Sequence, residues 1–462
     1  MSRRIGISML GCGTVGLPLF RMLNSQNGFS LRCVVVGNPD QSKYDELRAA
    51  DGVKLISSNE YDENDGQAIA GDSDTDIVVE VIGGSGGSEG DPFEKTRERL
   101  LQVIRAGKHV VTANKTVLSH WGTEVFAAAD RAGVNVGFEA SVAGSIPIIR
   151  LLRDHWRGQP IRKIAGIMNG TCNYILSKMP GLSGTPDSAE SNPAMQWALE
   201  DAQAAGLAEA DPSFDVDGHD AAQKLAIVAS IVFDTAVQPS EENIPRSSIL
   251  PISLEDLDLV EKLGFVIKPL AVAEKKGNDI ELRVHPCLVK QDHPLANVSG
   301  AYNAIYIESE PVEGVTEGFA SQLYYGQGAG GDATATALFS DVMSIQQRIQ
   351  NGVVDNPSYY CSNKQFNIVS RDDQVSPGYL KSVSKDEPGV FMRKTMVLYG
   401  ESESDRINIQ QIYNLHELRN GELVPDVITI GPTPFGTVRR ALARFKDEGV
   451  SVEEPLFLRI EN

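Results

Sequence analysis

The first sixteen residues constrain this chain more than any other stretch. Ile5 to Leu10 is a short apolar run of strand length, and Gly11-Cys12-Gly13-Thr14-Val15-Gly16 follows it directly. A helical stretch, Leu17 to Asn24, comes next. Strand, GxGxxG, helix is the arrangement that cradles a dinucleotide. Gly11 makes the tight turn, Gly13 lets the backbone approach a pyrophosphate, and Gly16 lets the helix pack on the strand. Thr14 and Val15 stand at the helix N-terminus, whose amides and dipole favour phosphate. An α/β fold with an N-terminal Rossmann sheet is therefore expected.

The strands that follow extend this sheet. Leu31 to Val36 ends in Gly37-Asn38-Pro39-Asp40, where neither an acid nor an arginine is in place to select the cofactor ribose. NAD or NADP is therefore open, with a lean to NADP because Lys43 lies close behind. Ile77 to Ile82 is a third buried strand, and it runs into a Gly/Ser loop from Gly83 to Gly90 that is expected to face the cofactor. After a helix from about Pro92 to Ala106, a fourth strand ends at Ala113-Asn114-Lys115. Strand C-termini line the crevice of open α/β sheets, which places Lys115 for chemistry. A surface lysine on a loop is the competing reading. Val134 to Phe138 then enters a turn of small residues, Glu139 to Pro147. Its carbonyls, with Glu139, could hold a monovalent cation; a tight packing turn is the alternative.

The most chemically loaded stretch is Gly206 to Lys224. It carries Glu209, Asp211, Asp215, Asp217 and Asp220 and ends in one lysine before an apolar run, Leu225 to Phe233. Asp217 or Gly218 reads as an N-cap, and Ala221 onward as a helix. Asp220 and Lys224 then share one face, one turn apart. A lysine at the mouth of a buried helix suits an acid/base role, and the carboxylates suit a substrate bearing an ammonium. Two bland readings compete, a solvated acidic turn and a structural helix pair. A calcium loop is rejected, because Ser213 and Lys224 stand where that pattern needs acids. Upstream, Asn169-Gly170-Thr171 can present amides and a hydroxyl to a ligand, or simply turn a strand into a helix.

Strand-like segments between Phe265 and Ile307 suggest a second domain. Tyr324 to Ala335 is another glycine-rich turn before a helix, able to return the chain to the cofactor. The last eighty or so residues look separate. They read strand–helix–strand–strand–helix–strand, a ferredoxin-like unit. A length of 462 residues accommodates these parts, and a formal net charge of −20 argues against nucleic acid or anionic membrane as partners. Five scattered cysteines without a CxxC read as free thiols. With no signal-like run at the start and no stretch of membrane-span length, a cytoplasmic protein is expected.

With these residues laid out, the chain resembles homoserine dehydrogenase over nearly its whole length. The motifs are GCGTVG at 11–16, VVTANK at 110–115, FEASVAGSIP at 138–147, GIMNGTCNYIL at 166–176, GLAEADPSFDVDG at 206–218, DAAQK at 220–224 and GQGAGGDATA at 326–335. The C-terminal unit resembles an ACT domain. The resemblance implies NAD(P)-dependent interconversion of L-homoserine and L-aspartate 4-semialdehyde. It makes Lys224 the proton donor and Lys115 the lysine where cofactor and substrate meet. Glu209, Asp220, Asp215, Thr171 and Gly170 fall at substrate positions. Gly11, Gly13, Thr14, Val15, Gly16, Gly83, Lys115, Gly206, Gly328 and Gly330 fall at cofactor positions. Glu139, Val142, Gly144 and Ile146 match a turn that holds a monovalent cation, Na+ or K+. The implied domains are a dinucleotide-binding domain at 1–147 completed by about 315–350, an α+β catalytic and dimerisation domain at 148–314, and an ACT domain at 378–462. A homodimer or homotetramer with L-threonine as effector completes the expectation. Gly37-Asn38 departs from the pattern, since relatives often place an arginine there.

Overall fold

The computed structural model describes residues 3–63, 66–82, 92–182, 192–311, 320–354, 366–415 and 422–461. The N-terminal strands are β1 (Ile5–Leu10), β2 (Phe29–Val36), β3 (Lys54–Ser57), β4 (Ile77–Glu80), β5 (His109–Thr112) and β6 (Val136–Gly137). They form one sheet in the order β3-β2-β1-β4-β5-β6, with every pairing parallel. This is the doubly wound order, and its crevice opens where the winding reverses, between β1 and β4. All six residues of β1 are buried, as a strand covered by helices on both faces requires.

The remaining strands are β7 (Ile161–Ile167), β8 (Phe265–Lys276), β9 (Asp279–Lys290), β10 (Tyr302–Ser309), β11 (Ser321–Gln327), β12 (Asn367–Ile368), β13 (Val375–Lys385), β14 (Ile409–Asn414), β15 (Leu423–Pro434) and β16 (Leu456–Glu461). They build a second sheet, ordered β11-β10-β7-β8-β9-β16-β13-β15-β14, with β12 pairing β9. The last four strands, with helices Val390–Tyr399 and Phe435–Asp447 between them, have the ferredoxin-like order β16-β13-β15-β14, all antiparallel.

This unit is not separate, contrary to the reading of the sequence. β16 pairs in parallel with β9, Arg459 opposite Cys287, so the sheet runs unbroken into the C-terminal strands. Without β16, the Cys287 to Val289 stretch of that edge of β9 would be left open. Glu461 reinforces the join, reaching Arg283 on β9 and Lys163 on β7 from within the buried layer.

Helix His219–Phe233 lies between the two sheets. Thirteen of its fifteen residues are buried, and its apolar side chains join one core that runs from Leu10 and Val78 through Val117 to Ile227 and Leu282. Each fully buried Leu, Ile or Val contributes about 1.5–3 kcal/mol by leaving water. The charged first turn of this helix is thus anchored by its apolar remainder.

Candidate active site

The glycine turn after β1 is shaped as its sequence demands. Gly11 has φ 95°, and a Cβ there would lie 2.6 Å from the carbonyl oxygen of Val81, so only glycine fits. Gly13 faces open space, with nothing within 4 Å of where its Cβ would be. The helix Gly16–Asn24 that follows has no side-chain cap at Val15. A second uncapped helix, Gly331–Asn351, begins after Gly330, and a Cβ on Gly331 would sit 2.5 Å from the carbonyl of Thr14. Two helix N-termini with unspent amides therefore meet at one point, which fits a pyrophosphate. Gly328 is equally constrained: a Cβ there would lie 2.0 Å from the Asn303 side chain. Gly206 has φ 70° and open space beside it, just past helix Pro193–Ala204. Gly83 lies outside the described residues.

The acid/base groups converge on Asp220. Gly218 at φ 79° caps helix His219–Phe233 and turns Asp220 inward, where it is 4% exposed. Its Oδ1 lies 2.9 Å from Lys115 Nζ, and its Oδ2 lies 2.7 Å from Lys224 Nζ. Lys115 arrives from the end of β5, where Asn114 caps its helix by accepting from Val117 N at 3.0 Å. Lys224 also donates to the carbonyl of Met168 at 2.8 Å. Burial would raise the Asp220 pKa, but the charges of Lys115 and Lys224 overcome it and hold the carboxyl well below the usual range. The same charge of Asp220 raises the pKa of Lys115.

Asn169 organises the wall behind. Its Oδ1 caps helix Gly170–Lys178 by accepting from Cys172 N at 2.8 Å, while its Nδ2 donates to Asp215 at 2.7 Å and to Asp220 at 2.9 Å. Burial, then the nearby Asp220 charge, raises the pKa of Asp215. A cavity of about 310 Å³ opens in front, lined by Val15, Glu80, Asn114, Lys115, Glu209 and Asp220 among others. It joins the glycine turn, the ends of β4 and β5, and the acidic stretch, and Asp211, Asp215 and Phe214 add to its wall. Five carboxylates around one cavity, Glu80, Glu209, Asp211, Asp215 and Asp220, attract an ammonium.

Not every expected residue faces this cavity. Lys224 stands behind Asp220, and Gly170 and Thr171 stand behind the wall. The Thr171 hydroxyl donates to the carbonyl of Leu207 at 2.7 Å, which ties the 206–208 turn to its helix. At the small-residue turn, both Glu139 carboxylate oxygens accept from backbone amides, Ile149 N at 2.7 Å and Arg150 N at 2.9 Å. Burial and the adjacent Asp341 raise Glu139 to about 7. The turn packs against the second glycine run through Ser145 N and Gln327 O, 2.9 Å apart.

Sequence reasoning missed Asn303, Phe214 and Glu80 as parts of the site. Asn303 Nδ2 donates to the Met168 carbonyl at 3.2 Å, beside Lys224, and only the fold brings it there. Asn169 carried a signal, an N-cap residue at the end of a strand. Arg48 was missed as well. It curls back to donate to the carbonyls of Pro39 and Gln41, next to Gly37-Asn38.

Comparison with known proteins places two consecutive blocks of the chain. Residues 11–139 match the family described as homoserine dehydrogenase, NAD binding domain, and residues 147–343 the family described as homoserine dehydrogenase. A homoserine dehydrogenase of Synechocystis sp. is 39% identical over 84% of this chain and 84% of its own. One of Bacillus subtilis is 33% identical over 99% of both chains. The crystal structure of a homoserine dehydrogenase from Thiobacillus denitrificans superposes with a TM-score of 0.83 at 32% identity, covering 100% of this chain and 99% of its own. A hyperthermophilic archaeal homoserine dehydrogenase in complex with NADPH is alike in fold, with a TM-score of 0.55 at 24% identity over 75% of this chain and 98% of its own.

Proposed function

We infer the mechanism from one premise: this chain belongs to the homoserine dehydrogenase family. It is an NAD(P)-dependent oxidoreductase acting on a CH–OH group, interconverting L-homoserine and L-aspartate 4-semialdehyde. When bound, the nicotinamide supplies or accepts the hydride. The amides after Gly13 and Gly330 would hold the pyrophosphate, with Gly11, Gly16, Gly206 and Gly328 keeping the backbone close. Glu209, Asp215 and Asp220 hold the substrate ammonium, and Gly170 and Thr171 act from behind by fixing the 206–208 turn. As an aldehyde is reduced, negative charge builds on its oxygen, and a lysine ammonium stabilises that charge and donates the proton. In the other direction the neutral amine takes the proton back.

Lys224 is the donor in this reading, with Lys115 orienting the reacting group. One observation carries it: a single buried carboxylate at the cavity wall, Asp220, bonds both ammoniums. Another favours the reverse assignment, because Lys115 lines the cavity and Lys224 does not. Turnover of homoserine with NAD and with NADP, by the native chain and by Lys115→Ala and Lys224→Ala, decides between them. The donor's loss lowers kcat in both directions; the positioning lysine's loss acts mainly on KM.

Arg48 and Lys43 beside the end of β2 support NADP over NAD. A monovalent cation at the 139–146 turn would be held by carbonyls such as those of Val142, Gly144 and Ile146, since the Glu139 carboxylate is already engaged. Tyr325 (54% exposed), Tyr302 and Leu323 on the outer strands β10 and β11 support a homo-oligomer through this sheet edge. We place the domain boundaries at 1–147 (completed by 315–350), 148–314 and 378–462. The C-terminal unit is read as an ACT domain with L-threonine as effector at Asp386 to Val390, where Gly389 at φ 87° opens an uncapped helix. Inhibition by threonine that Gly389→Ala relieves is the expected result. The four described cysteines are buried and free, which fits the cytoplasm, and no described helix is long and apolar enough to cross a membrane.

A further inference from the structure

Glu80 is the most deeply buried of the five carboxylates around the catalytic cavity, with none of its surface exposed. Its printed partners are neutral donors, and burial raises its pKa. A carboxyl kept in such a place is costly, and it stays where its shape is needed. Glu80 ends β4 and stands opposite Thr112, the last residue of β5, in the parallel pairing of the two strands. Ile82 follows β4, and Asn114 and Lys115 follow β5; all three line the cavity. The Glu80 side chain therefore sits at the root of two strand tips that flank the reacting groups.

Its two oxygens are divided between those tips. Oε1 accepts from Ile82 N at 2.9 Å, and Oε2 is bonded to the Thr112 hydroxyl. The direction of the second bond is fixed by the next one. Asn114 N can only donate, and it donates to Thr112 Oγ at 2.9 Å, so the single hydroxyl hydrogen is free for Glu80. Asn114 Oδ1 in turn accepts from Val117 N at 3.0 Å and caps the helix. Lys115 leaves the chain between these last two bonds, and its Nζ meets Asp220 Oδ1 at 2.9 Å. Thr112, like Glu80, is fully buried, so no water replaces a bond lost from this chain.

We propose that Glu80 is a positioning residue for Lys115. Through Thr112 and Asn114 it fixes the turn from which Lys115 reaches Asp220 and the cavity, and it touches no substrate itself. An amide cannot take its place. Glutamine offers one oxygen and one NH₂, so it loses either the Ile82 amide or the Thr112 hydroxyl hydrogen. This role rests on the catalytic reading of Lys115, whether that lysine donates the proton or orients the reacting group.

The test is Glu80→Gln, with folding checked by circular dichroism. A displacement of 1 Å can cost about 10²-fold in rate, and we expect a smaller fall, about tenfold in kcat/KM for homoserine. The fall is smaller because Thr116 still donates to Gln223 Oε1 at 3.0 Å and keeps the turn beside the catalytic helix. The loss appears in whichever parameter, kcat or KM, Lys115→Ala moves, and adding Glu80→Gln to Lys115→Ala changes nothing further. Thr112→Val reproduces the effect and Thr112→Ser, which keeps the hydroxyl, restores native kinetics; this pair carries the test if Glu80→Gln does not fold. A second readout needs no turnover. Acetic anhydride labels Lys115 faster in Glu80→Gln than in the native chain, followed by peptide mass spectrometry, because an amine parted from Asp220 gives up its proton more readily. Native labelling and native kinetics in the folded variants overturn the proposal, and so does a full further loss in the Lys115→Ala background. Near-normal turnover by Lys115→Ala, with faster labelling in Glu80→Gln, fails the catalytic reading instead and leaves the positioning of Lys115 by Glu80 standing.

Discussion

Replacing Asp220 with asparagine removes one charge and almost no volume, which makes it the sharpest probe of the catalytic cluster. The carboxylate accepts from Lys115 at one oxygen and from Lys224 and Asn169 at the other. An amide has one oxygen and one NH₂, so one ammonium must face a donor. Removing one partner of a buried ion pair costs about 3–5 kcal/mol, and here two cations lose the same partner. We expect a loss of at least about 3 kcal/mol in stability and about 10²–10⁴-fold in kcat. The pH dependence follows from the shifts. Asp220 has a depressed pKa in the folded state, so its stabilisation is complete at neutral pH and fades as pH falls below the ordinary carboxyl value near about 4. The gap between native and variant stability is therefore constant through neutrality and closes in acid. Lys115 is raised chiefly by Asp220, so the variant's lysine loses its proton at lower pH. In semialdehyde reduction the alkaline limb of kcat/KM should move to lower pH. An unmoved limb, with the protein folded, would show that the ionisation of Lys115 is not set by this carboxylate.

Lys224→Ala should lower kcat by about 10²-fold or more while NADP binding, followed by fluorescence, stays constant. A near-normal kcat transfers the donor role to Lys115. Lys43→Ala with Arg48→Ala should cut kcat/KM for NADP about tenfold relative to NAD, the scale of a lost phosphate contact. A strong native preference for NAD would refute the NADP lean at once. Gly328→Ala drives a methyl into Asn303, whose side chain would lie 2.0 Å away, and should abolish activity in whatever protein folds. Normal kinetics in that variant would mean the second glycine run is not fixed against the site.

The sheet order and the position of Lys115 were legible because they rest on local signals: a glycine turn between strand and helix, and a polar tip at a strand end. Helix His219–Phe233 was legible for the same reason, since its Gly218 cap, acidic first turn and apolar body lie within one run. β3 was not, because only Ile56 of its four residues is buried and nothing local marks a strand. Asn303 and Arg48 escaped because their roles depend on distance in space. Asn303 comes to Lys224 only through pairing of β10 with β7, and Arg48 returns to Pro39 through a short helical turn. The C-terminal unit was read correctly strand by strand and wrongly as separate. Its own pattern says nothing of the edge of β9 that it covers.

That join leads to the last prediction. If the C-terminal unit were an appended sensor, a chain stopped at Gly378 would keep turnover and lose only regulation. The structure argues otherwise. Such a chain lacks β16 and with it Glu461, which is 6% exposed and pairs with Arg283, itself 4% exposed, and with Lys163 at 3.0 Å. The two cations hold the Glu461 carboxyl well below its usual range against the effect of burial. Its loss takes this carboxylate from two buried cations, Arg283 keeping Glu281 at 3.4 Å, and it uncovers Cys287 to Val289 at the edge of β9. Breaking such a pair costs about 3–5 kcal/mol, a large share of what holds an ordinary domain folded. Glu461→Gln isolates the electrostatic part. It should melt several degrees below the native chain at neutral pH, with the difference shrinking in acid as the native carboxylate protonates. A truncated chain that stays folded and turns over homoserine at the native rate would refute this, because the catalytic sheet would then not need its last strand.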